Sequence, residues 1–148
     1  MSGAVTVRLL GPGDETVLDR VADEVFDGAV DPALVREMLG DPRHHLAVAI
    51  ENGAVVSFAS GMHYVHLDKR AQMFVNEVAT APTHQRRGIG RAVLDALLDH
   101  ARALGCGEAW VLTDRDNEAA QALYRAVGAA PPEPCVMFTV PLDEPGPA

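Results

Sequence analysis

Hydrophobic and polar residues alternate with two different periods along the chain, and the period predicts where strands and helices lie. Six short segments alternate or run apolar in the way that strands do. They cover residues 5–10, 46–50, 55–62, 72–80, 108–113 and 135–140. Asn52-Gly53 separates the second from the third, and because this dipeptide tolerates positive φ, it predicts a tight β-hairpin.

Apolar residues at helical spacing predict four helices between these strands. The first is capped by Asp14 and runs to Phe26, and the second begins at Asp31-Pro32 and ends at Gly40. The third carries an apolar stripe from 91 to 105, and the fourth covers 118–127 before a glycine. The order is strand, two helices, three strands, helix, strand, helix, strand, which predicts an α/β (α+β mixed) fold with a sheet covered by about four helices.

Length and composition indicate one domain over residues 1–148, with a core over about 5–140 and a Pro-rich tail at 141–148. A chain of this size buries enough surface to fold without a metal or disulfide. No apolar run approaches the ~20 residues of a membrane span, and a basic leader is missing, so we expect a cytoplasmic protein. Cys106 and Cys135 lack the spacing of a metal site, which predicts buried free thiols in a reducing compartment and no metal.

The formal net charge of −9 argues against a nucleic-acid partner, which would require clustered Lys and Arg. Acidic residues are dense between residues 14 and 31, where Arg20 is the one basic residue. This segment fits either a solvated surface that keeps the protein soluble or a surface that attracts a cationic partner.

The stretch HQRRGIG, residues 84–90, is locally positive although the chain is acidic. It lies between a predicted strand and a predicted helix, where unpaired backbone N–H groups and the helix dipole favour anions. Gly88 and Gly90 let a phosphate approach the backbone, while Arg86, Arg87 and Arg91 add mobile positive charge. His84, beside them, is expected to face solvent. The partner should therefore be a phosphate-bearing cofactor.

Two common phosphate motifs do not fit this stretch, but a third does. The P-loop pattern is absent, and the dinucleotide fingerprint lacks one of its three glycines. Residues 85–90 match the acyl-CoA pattern [QR]-x-x-G-x-[GA] in full. EVATAP before this loop and AQALYRAVGA at 120–129 extend the match, and the chain from about 5 to 140 resembles the GNAT acetyltransferase superfamily.

The resemblance implies a GNAT-like acyl-CoA N-acyltransferase fold with a twisted, mostly antiparallel mixed sheet, and acetyl-CoA as the cofactor. It implies that Val78, Ala79 and Thr80 offer backbone groups to the pantetheine arm, that Asn117 fixes this arm further out, and that Tyr124 lies near the thioester sulfur. It places the diphosphate against Gln85, Arg86, Arg87, Gly88, Ile89, Gly90 and Arg91. The acceptor amine would attack directly in a ternary complex.

The chemistry gives separate reasons for a carboxylate and a phenol at such a site. A primary amine with pKa about 10.4 is almost wholly protonated at neutral pH, so a base must take its proton. Glu77 is the candidate base or water-relay anchor, since strand alternation sets its side chain opposite to that of Val78. Tyr124 is the candidate acid for the departing thiolate. The structural alternatives are a surface glutamate and a tyrosine that packs its helix on the sheet.

The acceptor side is less defined. Asp114 and Asp116 follow a strand and either orient a cationic acceptor or cap a turn. The segments 26–45 and 62–72 would line the acceptor pocket, and they contribute Phe26 and His63 as candidates. A histidine that is simply satisfied by its surroundings is the commoner case.

Within the superfamily the chain is most similar to GNAT-type aminoglycoside 3-N-acetyltransferases, on RLLGPGD, VNEVAT and LYRAVGA. Two features depart from them: Glu77 stands where they have Asp, and DRDNEA replaces a more acidic run. We therefore expect a small-molecule amine acceptor, with a protein or peptide N-terminus as the alternative. A non-catalytic acyl-CoA sensor is the alternative of another class. A homodimer is expected from the resemblance and the C-terminal strand.

Overall fold

The computed structural model describes residues 3–143, so most of the predicted tail lies outside the described residues. A single five-stranded sheet organises the chain, with its strands in sequence order. The strands are β1 (Thr6–Leu10), β2 (His44–Glu51), β3 (Ala54–Tyr64), β4 (Gln72–Thr80) and β5 (Glu108–Val111). The first four pair antiparallel and β5 runs parallel to β4. The expected mixed, mostly antiparallel fold is confirmed.

Three α-helices cover this sheet: α1 (Pro32–Gly40), α2 (Ile89–Ala103) and α3 (Glu118–Ala126). The apolar stripe of α2 packs on one face with alternate residues of the strands, including Ala47, Ala59 and Val75. The other face carries α1 and a 3₁₀ helix, Glu15–Asp19, around Val48 and Phe58. None of the helices within residues 3–143 is long and apolar enough to cross a membrane.

The hairpin between β2 and β3 forms at the predicted turn. Asn52 and Gly53 adopt φ values of 51° and 77°, the pair of positive angles that a two-residue type I′ turn requires. The turn fixes the register in which Glu51 faces Ala54.

A β-bulge interrupts strand β4 in its middle. Glu77 pairs with Ser60 and Val75 with Gly61, so Asn76 is an extra residue without a partner on β3. A bulge sets two consecutive side chains on one face of a sheet. Val75 and Val78 therefore both pack on the α2 face, whereas Asn76 and Glu77 point to the opposite face.

Strand β5 pairs with only the first part of β4. The parallel register runs from Gln72↔Glu108 to Val75↔Val111 and ends there. Residues 76–80 consequently have no strand beside them on that side within the described chain. A wedge-shaped opening between β4 and β5 starts at the bulge.

The helix predicted over residues 14–26 is wrong. After the short 3₁₀ helix the chain turns extended and pairs with β3, where Ala22 N–H donates to Val55 O (2.8 Å) and Val55 N–H donates to Arg20 O (2.9 Å). A helix would also align four carboxylates at i,i+4 spacing, which is unfavourable for like charges. They are Glu15, Asp19, Asp23 and Asp27. The sheet thus has three α-helices rather than about four.

The strand predicted at 135–140 is also wrong for the described residues. The segment has no regular secondary structure and pairs with no strand, and its apolar side chains are exposed, Phe138 to 87%. Alternation of apolar and polar residues indicates that a segment is suited to a sheet. A strand forms only where the backbone of another strand is close enough to pair with it. We call residues 135–142 the C-terminal apolar segment.

Candidate active site

The predicted anion loop is built around the first turn of α2. Gly88 precedes the helix with φ 76°, and no side chain caps the helix. Within the described chain, the backbone N–H groups of residues 88–91 have no acceptor, because the first helical bond is donated by Ala92. A Cβ atom on Gly88 would meet nothing within 4 Å, so the space in front of these amides is open. A phosphate fits such a corner.

The loop is continuous with the free edge of β4. A Cβ atom on Gly90 would lie 3.1 Å from Thr80 Oγ1, so a larger residue here would press on the Thr80 side chain where α2 approaches the strand. The Gln85 side-chain amide reaches Thr80 O at 3.5 Å. The predicted residues Val78, Ala79, Thr80, Gln85, Gly88, Ile89 and Gly90 are thereby brought together.

The basic side chains of the loop have different surroundings. Arg87 is not mobile: its Nη1 and Nη2 atoms donate to the two carboxylate oxygens of Glu51, each at 3.1 Å. His84 does not face solvent, since its Nε2 lies 2.5 Å from Glu51 Oε2. The paired guanidinium of Arg87 and the neighbouring His84 lower the pKa of Glu51. Arg91 forms an exposed ion pair with Asp95 at 3.7 Å, and Arg86 is exposed.

Glu77 enters a cavity on the face opposite to α2. This cavity of about 380 Å³, which we call the Glu77 cavity, also contains the predicted residue Phe26. Phe26 stacks on Phe58 with ring centroids 4.3 Å apart. Asn76 and Ser60 contribute polar side chains beside Glu77. A carboxylate, an amide and a hydroxyl therefore line this cavity together, and Asp27 and Asp31 also line it.

A larger cavity of about 760 Å³ adjoins it and shares several of its lining residues. The shared residues are Leu18, Phe26, Gly28, Ala29, Val30 and Val35. Four carboxylates line the larger cavity against one basic side chain, Arg36; they are Glu15, Asp19, Asp23 and Glu24. We call this the acidic cavity. The dense acidic segment of the sequence thus lines a concave surface, which suits a cationic ligand.

Tyr124 lies on α3 and packs, partly buried, on the α2 side of the sheet. Burial raises the pKa of its hydroxyl. Within residues 3–143, two hydrogen bonds involve a tyrosine hydroxyl, and both are those of Tyr64. The Tyr124 hydroxyl is therefore available to another group. At neutral pH Tyr124 is a protonated phenol with a proton to give.

The β5–α3 loop places the remaining predicted residues at its surface. The Asn117 side chain caps α3 by accepting from Ala120 N–H at 3.0 Å, so its amide NH₂ group remains free. Asp114 and Asp116 are exposed and accept backbone bonds inside the turn. Neither aspartate lines the Glu77 cavity or the acidic cavity.

His63 is not beside the cavities, because it lies on the α2 face. Its Nδ1 is 2.7 Å from His45 Nε2, and His45 Nδ1 is 3.0 Å from His100 Nε2. Within the described residues no group of His, Cys, Asp or Glu has the arrangement of a metal site. Burial first, and then the neighbouring imidazoles His100 and His63, lower the pKa of His45 to about 4.

Sequence reasoning did not identify Glu51 or Asn76. Glu51 precedes the hairpin turn, and no local pattern relates it to Arg87, 36 residues later. Asn76 lies inside a strand whose sequence does not mark the bulge, so its role was not readable. Both cysteines are free thiols, and Cys106 is buried as predicted. The prediction of a buried thiol is wrong for Cys135, which is exposed because its segment pairs with no strand.

Comparison with known proteins identifies the class that this fold and loop define. The family model described as "Acetyltransferase (GNAT) family" matches residues 16–129. The chain belongs to the GNAT acetyltransferase family and is an acetyltransferase whose acyl donor is acetyl-CoA.

Individual relatives differ in their acceptors. The N-alpha-acetyltransferase RimI of Mycobacterium tuberculosis is 32% identical over 126 residues, which are 84% of this chain and 77% of the relative. The aminoglycoside acetyltransferase meta-AAC0020, from an uncultured soil metagenomic sample, superposes with a TM-score of 0.82 at 20% identity, covering 94% of this chain and 97% of the other. The aminoglycoside N-acetyltransferase AAC(6')-Iy in complex with CoA gives a TM-score of 0.75 at 19% identity, with 95% and 96% coverage. The two structures show a shared fold.

The histidine cluster predicts how stability depends on pH. The folded state holds His45 neutral down to about pH 4, while an unfolded histidine takes up its proton near pH 6.5. Between these values the unfolded chain binds the extra proton, so the free energy of unfolding falls as the pH is lowered, by about 1–3 kcal/mol. Urea titrations from pH 7 to 4 should show this loss, with a shallower slope in His45→Gln. An unchanged slope would contradict the role given to His45.

Proposed function

We propose that the chain transfers the acetyl group of acetyl-CoA to a cationic amine bound in the acidic cavity, by direct attack in a ternary complex. The observation that carries the proposal is the position of Glu77: the bulge at Asn76 turns it into a cavity that adjoins the acidic cavity. The residues described here would act as one acetyltransferase domain.

The acyl donor fits between the loop and the wedge of the sheet. Acetyl-CoA, when bound, supplies an activated acetyl group as a thioester. The amides of residues 88–91 would hold its diphosphate, with Arg86 and Arg91 supplying positive charge from the surface. The unpaired edge at Val78, Ala79 and Thr80 would bind the pantetheine amides as a strand binds its neighbour. The free NH₂ group of Asn117 is suited to an acceptor further along the arm.

Glu77 would act as the base or as the anchor of a relaying water. An amine with pKa about 10.4 needs ~4 kcal/mol to lose its proton near neutral pH. Once the neutral nitrogen bonds to the thioester carbon, it becomes much more acidic, and the carboxylate would accept its excess proton directly or through water. Ser60 and Asn76, beside Glu77, are suited to hold a water molecule between the carboxylate and the amine. Tyr124 would then donate its hydroxyl proton to the departing sulfur, for which its raised pKa keeps it protonated.

These roles predict a separation between binding and turnover. Tyr124→Phe and Glu77→Gln should each lower kcat by about 10²–10³-fold, the range of general acid–base contributions. The dissociation constant of CoA should stay within about twofold, since neither change touches the proposed diphosphate contacts. Thiol release from acetyl-CoA and calorimetry with CoA measure the two effects. Full activity in both variants would remove the proposed acid and base.

The acceptor that the relatives support first is the α-amine of a protein or peptide. The similarity to the N-alpha-acetyltransferase RimI extends over most of both chains, whereas the two aminoglycoside enzymes share only the fold at 19–20% identity. An aminoglycoside remains the second candidate, because a polycation complements the four carboxylates of the acidic cavity. An open, two-part cavity accommodates either an extended peptide or a ring system.

Neutralising the acidic cavity should weaken the acceptor and leave the donor unaffected. In Asp19→Asn/Asp23→Asn we expect the KM of a cationic acceptor to rise about 5–10-fold and its salt dependence to flatten, with kcat nearly constant. Asp68→Asn/Asp99→Asn changes the net charge equally away from the cavity and is the matched control. The acceptors are alanyl and methionyl peptides with basic residues, and aminoglycosides. CoA binding without turnover on any amine would favour the acyl-CoA sensor instead.

We also propose a cytoplasmic location and a homodimer. Both cysteines are free thiols, one of them exposed, as suits a reducing compartment. The C-terminal apolar segment has the alternation of a strand but no strand beside it, and β5 is an edge strand with one unpaired side. A second copy supplies both missing partners at once, with each segment pairing to the other copy's β5.

The area of the C-terminal apolar segment supports such an exchange. Five large side chains are exposed: Val136, Met137, Phe138, Val140 and Leu142. Burial of a large apolar side chain is worth ~1.5–3 kcal/mol, and each Å² of buried apolar surface about 25 cal/mol. The five side chains would therefore bury about 300–600 Å² per copy. Two such segments with the surfaces that cover them reach the ~1,200–2,000 Å² of a stable interface.

Light scattering coupled to size exclusion tests the dimer. The unmodified chain should elute at twice the monomer mass, and Phe138→Asp should shift it to the monomer, since a charge cannot be buried in the interface without large cost. Leu67→Asp is the control, because Leu67 is fully exposed outside the segment. A monomeric unmodified chain, or an equal effect of both variants, would refute the exchange.

A further inference from the structure

A single buried carboxylate, Glu51, holds the diphosphate loop from behind. It ends strand β2 immediately before the hairpin turn and is only 4% exposed. It pairs with Arg87 through two parallel hydrogen bonds of 3.1 Å and with His84 Nε2 at 2.5 Å. The loop is therefore attached at two points to the rigid end of a central strand.

The residue adjoining Arg87 on its N-terminal side needs such support. Arg86 has φ 63°, in the left-handed region that a non-glycine residue adopts at a cost of ~1–2 kcal/mol. A strained conformation of this kind persists only where its surroundings determine it. His84 and Arg87 flank Arg86 in the sequence, and both are held by Glu51. The turn at Arg86 and the following Gly88, both at positive φ, lead directly into residues 88–91, whose amides have no acceptor within the described chain.

The two loop arginines have different electrostatic environments. The guanidinium of Arg87 donates from Nη1 and Nη2 to the two carboxylate oxygens of Glu51. This pairing raises the pKa of Arg87. Its charge is compensated by Glu51, although part of the side chain remains exposed. Arg86 is exposed and remains free to meet an anion.

We propose that Glu51 is a positioning residue for acyl-CoA, acting through Arg87 and His84 on the loop that receives the diphosphate. Arg87 belongs to this support and is not itself a phosphate ligand. The inference rests on the assignment of residues 85–91 as the diphosphate site. Glu51 would affect binding of the diphosphate part of the donor and would take no part in the acetyl transfer itself.

Donors with and without the diphosphate separate positioning from a general structural role. In Glu51→Gln the carboxylate charge is lost while the shape of the side chain is kept. The loop should then populate the binding conformation only in part, and the apparent affinity falls by that fraction. We expect the KM of acetyl-CoA and the dissociation constant of CoA to rise about 5–20-fold, with kcat within about twofold. S-acetylpantetheine lacks the diphosphate, so its kcat/KM should not change.

A double-mutant cycle tests the path through Arg87. If Glu51 acts through Arg87, then Arg87→Gln should resemble Glu51→Gln, and the double variant should be no worse than either one. If Arg87 contacted the phosphate directly, Glu51→Gln alone, by releasing Arg87, would tighten CoA, whereas Arg87→Gln would weaken it. Glu37→Gln is the matched control, because it removes the same charge from an exposed position on α1.

Each remaining outcome is decisive. An equal loss for acetyl-CoA and S-acetylpantetheine, or no loss for either, overturns the proposal. Circular dichroism shows whether Glu51→Gln is folded; if it is not, Arg87→Gln carries the same donor comparison, since the Arg87 side chain is 37% exposed and can be solvated. Failure of the unmodified chain to bind CoA in calorimetry would instead refute the diphosphate site itself, before any variant is compared.

Discussion

The incomplete pairing of β4 is the constraint on which the rest of the site depends. Strand β4 is held by β3 along its length, but by β5 only from Gln72 to Val75. The remaining backbone would be costly to leave without hydrogen bonds if it were buried, so this edge is stable only where water or another group can reach it. The bulge at Asn76 lies where the pairing ends. One irregularity therefore accompanies the opening between β4 and β5 and turns Glu77 into the cavity on the opposite face.

Charge is separated across the molecule in a way that its net value of −9 conceals. Acidic side chains line the cavity on the α1 face, while exposed Arg86, Arg91 and the start of α2 form a positive corner. The acidic cavity therefore favours cations and the positive corner favours anions, at two different places on the surface. Because salt screens such fields within about 10 Å, each acts near its own opening, and neither charge needs to be large over the whole surface.

Much of the fold could be predicted from periodicity, and its failures have physical reasons. The range 72–80 of β4, the Asn52-Gly53 hairpin and the cap at Asp31 followed from local patterns. The helix predicted over 14–26 was wrong because the prediction used only the spacing of the apolar residues. Repulsion among the carboxylates disfavours the helix, and the segment pairs with β3 at Val55 instead. For the site, the glycine pattern of the loop was readable. The partner of Arg87 was not, because an ion pair across 36 residues leaves no local trace.

Strand alternation alone does not determine on which face of β4 the Glu77 side chain lies. Counted from Met73 and Val75, which are buried on the α2 face, strict alternation would place Glu77 on that same face, inside the core. Counted from Val78, it places Glu77 on the opposite face, and the sequence contains nothing that selects between the two counts. The bulge reconciles them, since it lets Val75 and Val78 both face α2. The position of the Glu77 side chain therefore depends on one unpaired residue, Asn76, and not on the regular geometry of the strand.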